Sequence, residues 1–509
     1  MDLEAYRETA EEFVSELTTE YYRHYAGLKD EFEIEAVYVE HGALFTRAAV
    51  EELRERAAAP APGSDERRAL RMLLAFAVEG HLGQATKALD AELARREAEL
   101  SIELDGERIG YRESAVTQAN EPDAGRRAQI EEARLTLTER ELNPLHREAL
   151  ERQHELAREL GYPSYRDMWA TLQGVDFDAL HRQTEAFRAA TEASYAAVLE
   201  PELQRTLGFG FDRLRRSDLP RFFRAVETDV SFPADRLTQS FIETAHGLGI
   251  DVAARAGVIL DTERRPKKSP RAFCAPVHAP GEVYLVIAPV GGREDFAALF
   301  HEGGHTAHFA NVGATLPFEF RLLGDNAITE AYAFLFQHLI EDPEWLRRRL
   351  GVDDSSALAA YARANRLVYL RRYTAKFAYE LELHGSSDTS LDAVLDDLAD
   401  RYAELLAAAV GVEWPRQTFL ADVDPGFYCT NYLRAWALET HLRGHLREQF
   451  GSLWFEDPDA GETLRALWRD GQRLSPDEML RELTGERLDF TVLGREVGLD
   501  QPAHDRDLL

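Results

Sequence analysis

Residues 295–310 read DFAALFHEGGHTAHFA. Phe296, Leu299, Phe300 and Ala307 recur at helical steps, so the stretch predicts an α-helix with one buried apolar stripe. His301, Glu302 and His305 lie on the same helix, with Gly303 and Gly304 side by side between them. Each glycine weakens a helix interior by roughly 1 kcal/mol relative to alanine. Two together, in a buried helix, imply that another backbone or a substrate approaches closely.

Residues i and i+4 share a helix face, so His301 and His305 can point at one ion. Two imidazole nitrogens suit Zn²⁺. Glu302 stands about 100° around the helix, within reach of a water on the metal but not placed as a ligand on the same face. That is the general-base position of the HExxH metallopeptidases. On this reading the glycines lie beside that water and the substrate, where side chains would obstruct.

A catalytic zinc needs a third protein ligand and an open position. The metzincin pattern requires Gly at 308 and His at 311; the chain has His308 and Asn311, which excludes that class. The best candidate is Glu330, in GDNAITEAYAFLFQHLIED. Ile328, Ala331, Leu335 and Leu339 form one apolar stripe there, and Ala333 and Phe334 make the other side apolar. A buried carboxylate is expensive unless a cation accompanies it. That cation is zinc, or an arginine. His308 shares a face with His301 but lies about 10.5 Å along the axis, so it is expected behind the ligands or facing substrate. Asp325 is expected to orient a ligand imidazole or to cap a helix.

Working outward, helical periodicity dominates, from DLEAYRETAEEFVSELTTEYYRHYAGL at the N-terminus to about residue 488. One region breaks it. RAFCAPVHAPGEVYLVIAPVGG (271–292) is rich in β-branched and aromatic residues and punctuated by Pro and Gly, which predicts two short strands turning at Pro280–Gly281. The fold class is therefore mainly α, with one small sheet just before the HEGGH helix.

The 509 residues carry a formal net charge of -32, which disfavours nucleic acid and anionic lipid as partners. No apolar run approaches the roughly 20 residues of a membrane span, and the acidic N-terminus lacks signal-peptide character. Cytoplasmic placement is the expectation. Two cysteines, Cys274 and Cys429, exclude a disulfide framework and a cysteine zinc cluster.

HEGGHTAH (301–308) followed by ITEAYAF, with its glutamate 25 residues after the second histidine, resembles the thimet oligopeptidase and oligoendopeptidase F family of gluzincin zinc peptidases. KKSPRAFCAP (267–276) is similar to the strand preceding that family's zinc helix, and DPGFYCTNYLRAWALE (424–439) to its tyrosine-bearing loop. The resemblance covers about 260–440. It implies a two-lobed helical body with a deep substrate channel: a helical part over 1–265 forming much of one wall, and a catalytic part over 266–509. The latter would hold the sheet (271–290), the zinc helices (295–340) and the tyrosine loop (422–436).

It further implies one Zn²⁺ per chain on His301, His305 and Glu330, with Glu302 as the base. Short unstructured peptides would pair with the edge strand around Ala272, Phe273 and Cys274 and be cut internally. Tyr428 and Tyr432 would donate hydrogen bonds to the oxyanion or peptide. Where the family often has a histidine before the tyrosines, this chain has Asp422 and Asp424: either an aspartate substitutes, with Asp422 expected behind the site's ligands, or the interaction is absent. Alternatives are a dipeptidyl carboxypeptidase of the angiotensin-converting-enzyme-like type and a catalytically silent peptide-binding relative. Either a monomer or a homodimer is compatible.

Overall fold

A computed structural model describes residues 1–252, 257–385 and 395–497; the end of the expected catalytic part, 498–509, lies outside them. Among the described residues the chain is mainly helical with two small sheets, one more than the sequence pattern suggested. It divides into two compact units, each assembled from separate stretches of sequence.

The first unit comprises residues 1–84, 228–356 and 434–488. Its sheet has three strands, β3 (Val258–Asp261), β4 (Phe273–His278) and β5 (Glu282–Val286), in the order β3-β5-β4. The antiparallel β4–β5 pair is the expected one. The parallel strand β3 was not anticipated from the sequence: four residues give too little periodicity to stand out. β4 is an edge, as the resemblance implied.

The N-terminal helix Leu3–Tyr25, capped by Asp2, lies against the sheet, with Tyr22 stacked on Tyr284 at 3.7 Å between ring centroids. The HEGGH helix spans Arg293–Phe309. Its start is fixed by two carboxylates: Asp295 accepts from the Val290 and Gly291 N–H groups, and Asp229 from that of Arg293. Acidic groups at a helix N-terminus satisfy orphan donors and complement the dipole. Phe296, Leu299, Phe300 and Ala307 are buried, as their spacing predicted. The Glu330 helix, Asn326–Gln337, is buried from Ala327 to Phe336 and packs along the HEGGH helix.

The second unit comprises, among the described residues, 85–227, 357–385, 395–433 and 489–497. It holds the unforeseen hairpin of β1 (Ser101–Leu104) and β2 (Glu107–Gly110), whose Ile102 and Ile109 pack on Ile130. The turn is Asp105–Gly106, both at positive φ. Asp-Gly is the residue pair that such two-residue turns favour, so the signal was present within a helical background.

Candidate metal centre

His301 and His305 stand one turn apart with rings 4.9 Å between centroids. Glu330 Oε2 lies 3.4 Å from His301 Nε2 and 3.8 Å from His305 Nε2. Ligand atoms from the three residues fall within 4.8 Å of one another. Tetrahedral bonds of 2.0–2.2 Å separate neighbouring ligand atoms by about 3.3–3.6 Å. The first distance matches one tetrahedral edge and the second is slightly wide of one, so the spacing is that of a candidate site for a small cation.

The remaining imidazole nitrogens explain why the Nε2 atoms face inward. His301 Nδ1 is 2.8 Å from Gln337 Oε1, and His305 Nδ1 is 2.8 Å from Thr329 Oγ1. An Nδ1–H donating to each oxygen leaves both Nε2 lone pairs free for a cation, as metal-ligating histidines require. Sequence reading missed Gln337 and Thr329. Both lie on the Glu330 helix: Gln337, at +7, shares the face of the glutamate, and Thr329, at −1, stands about 100° around from it.

Glu302 Oε2 accepts from the main-chain N–H of Cys274 at 2.9 Å, so β4 and the candidate base are in direct contact. Burial pushes the Glu302 carboxyl up to about 7, against the opposing pull of His301 and the Cys274 N–H. Burial also lowers His301, but the Glu330 and Glu302 carboxylates outweigh it and raise the imidazole overall. His305 is lowered to about 4, by burial first and by His301 second.

The two glycines have separate causes, and a neighbouring backbone, one of the two expected, is the cause at Gly304. A Cβ at Gly304 would stand 2.6 Å from Ala333 Cα and 2.6 Å from Tyr332 O, on the backbone of the Glu330 helix. A Cβ at Gly303 would stand 2.2 Å from the Phe241 ring. Both glycines face packed protein. Of the two expected causes, close backbone approach explains Gly304, and it brings Glu330 up to the two histidines.

Other expected residues fall as follows. His308 is fully buried, with Nδ1 3.1 Å from Thr329 Oγ1, so it backs His305 through a shared hydroxyl and offers no surface to substrate. Asp325 does not orient an imidazole. It caps the Glu330 helix through the Ala327 N–H and pairs with Arg434 at 2.5 Å. Asp422 has its oxygens on Arg372 and on the Tyr402 hydroxyl, so its contacts do not support a place behind the metal ligands. Phe273 and Cys274 open β4, with Ala272 just before it.

Tyr428 and Tyr432 belong to the second unit, half-buried, with rings 5.2 Å apart. The turn before Tyr428 holds Gly426 and Phe427, both at positive φ. For a bulky residue that conformation is strained and persists only when its surroundings impose it. The surroundings are visible: Asp424 N–H and the Cys429 thiol both donate to buried Glu380, and Gln173 donates to Gly426 O. Both cysteines are free. The chain matches no protein-family model and no curated protein by sequence.

Proposed function

We propose that this chain is a zinc-dependent oligopeptidase of the thimet oligopeptidase and oligoendopeptidase F type, acting in the cytoplasm on internal bonds of short, unstructured peptides. The observation that carries the reading is the convergence of His301 Nε2, His305 Nε2 and Glu330 Oε2, with each imidazole locked from behind and Glu302 alongside. His301, His305 and Glu330 would hold the ion. When bound, zinc supplies a Lewis acid that lowers the pKa of a water and polarises the scissile carbonyl.

The protein's own groups do the rest. Glu302 takes the proton of the attacking water and returns it to the leaving amine. Its contact with Cys274 N–H supports a peptide laid along β4, since the same carboxylate then borders the bound backbone. A deep channel that excludes folded proteins, and the oxyanion role of Tyr428 and Tyr432, rest on the resemblance and form part of the proposal.

The test is to incubate zinc-loaded protein and its Glu302→Gln variant with peptides of about 5 to 20 residues and read the products by mass spectrometry. Internal cuts by the wild type alone support the proposal. Stepwise loss of C-terminal dipeptides would replace it with a dipeptidyl carboxypeptidase. Zinc binding without any cleavage would leave a peptide binder. Tyr428→Phe and Tyr432→Phe should lower kcat about tenfold or more at unchanged zinc content; unchanged kcat in both removes the tyrosines from the mechanism.

A further inference from the structure

A groove of about 470 Å³ runs beside the edge strand β4 within the first unit. The N-terminal helix contributes Thr18, Tyr21 and Tyr25 to its lining, and the strand contributes Phe273 and Cys274. Tyr21 and Tyr25 are stacked at 5.9 Å between centroids, yet remain 40% and 41% exposed. Two aromatic rings held together and left open to solvent form a surface that could cover an apolar side chain.

The strand's main chain limits where an added strand can pair. Cys274 N–H points away from β5 to Glu302. Within β4, residues 274 and 276 therefore turn their main-chain groups to the open edge, where the Cys274 N–H is taken by Glu302 and its carbonyl is left to pair. Pro276 has no N–H, so pairing is confined to the Ala272–Cys274 end. That end lies beside the tyrosines, with Tyr25 and Phe273 6.4 Å apart between centroids.

Side chains of an added strand alternate between the two faces of the sheet. Phe273 and Ala275 share the face of Tyr284, on which Tyr22 of the N-terminal helix stacks. Cys274 is on the opposite face, its thiol at Thr306 of the HEGGH helix. Alternate side chains of the occupant thus meet the Tyr21–Tyr25 wall, and the intervening ones face Glu302. Arg271, exposed, adds a cation to the lining in a chain of net charge -32.

We infer that Tyr21, Tyr25 and Arg271 determine specificity, selecting extended peptides with an aromatic or large aliphatic side chain on the tyrosine wall and an acidic residue toward Arg271. This rests on the oligopeptidase reading for its catalytic consequence, but binding can be read without turnover. The probe is a fluorescein-labelled, C-terminally amidated eight-residue Gly/Ser peptide bearing one Phe, moved one position at a time, with Ala counterparts. Anisotropy is measured with zinc-loaded Glu302→Gln protein, alone and combined with Tyr21→Ala, Tyr25→Ala or Arg271→Ala.

The Phe peptides should bind more tightly than their Ala counterparts by about tenfold or more in at least one position. Tyr25→Ala should reduce that preference to within about threefold. An Asp neighbour should bind more tightly than Asn, and Arg271→Ala should erase the difference. Both tyrosines are partly exposed, so the variants should keep the parent far-UV circular dichroism and zinc stoichiometry. A Phe preference below about twofold, or one that survives both tyrosine substitutions, overturns the inference even if the wild type cleaves peptides. The expected preferences without any cleavage by the wild type would uphold the groove and overturn the hydrolase instead.

Discussion

Replacing Gly304 by alanine tests the link between helix packing and the metal centre. The new methyl carbon would stand 2.6 Å from both Ala333 Cα and Tyr332 O. Carbon contacts settle near 3.5–4.0 Å, so the HEGGH and Glu330 helices must separate by about 1 Å. Alanine adds roughly 1 kcal/mol of helix propensity, while overpacking typically costs 1–3 kcal/mol. The metal-free protein should therefore lose about 0–2 kcal/mol.

The effect on zinc should be larger, because ligand distances tolerate only about 0.2 Å. His301 and His305 ride on one helix and Glu330 on the other. Affinity should fall at least about tenfold, or 1.4 kcal/mol. Competition against a chromophoric chelator measures this, with thermal melts of metal-free and zinc-loaded protein alongside. Gly303→Ala should destabilise by about 0–2 kcal/mol through Phe241, by the same balance, while leaving zinc affinity unchanged. Gly444, helical with no atom near its would-be Cβ, is the control, and Gly444→Ala should stabilise by about 1 kcal/mol. Parent zinc affinity in Gly304→Ala, with stability raised as in the control, would refute the reasoning.

Three further outcomes are expected. Thr329→Val removes the hydroxyl behind both His305 and His308; zinc affinity should drop about 10–100-fold, read by the same competition. Glu439 is fully buried between Arg443 at 2.6 Å and His338 at 3.0 Å. Burial alone would raise its carboxyl, but these partners hold it well below the usual range. Its stabilisation is thus present above the ordinary glutamate value and lost as pH falls toward the depressed one; Glu439→Ala should cost about 3–5 kcal/mol at pH 7 in denaturant melts, with a smaller difference at pH 3. Glu380 shifts the other way: burial pushes it up to about 8 against the pull of Lys376. Its proton is held to higher pH in the folded state than in the unfolded chain. The associated stability is complete below the ordinary value and withdrawn as pH rises through about 8. Melting temperature should decline between pH 6 and 9 more steeply for the parent than for Glu380→Gln, and equal slopes would contradict the shift.

The sequence by itself determined what neighbouring residues decide. The stripe of Phe296, Leu299, Phe300 and Ala307 set the HEGGH helix and its buried face. The four-residue step put His301 and His305 together, and the all-round apolarity of residues 327–336 marked Glu330 as a buried acid that needs a cation nearby. The β4–β5 pair was legible from its residue types and Pro-Gly turn. These follow from helix and strand periods, which act over a few residues. Only the tertiary structure decided the rest. Gln337 is 36 residues from His301, and Thr329 is 24 from His305. No local pattern encodes which oxygen meets which nitrogen across two helices. Asp325 turned to Arg434, Asp422 to Arg372, and His308 into the interior, because a buried polar group takes the partner that packing delivers. Gly304 joins the two levels. Its presence was visible in the sequence, but its cause is the backbone of another helix lying where a side chain would be.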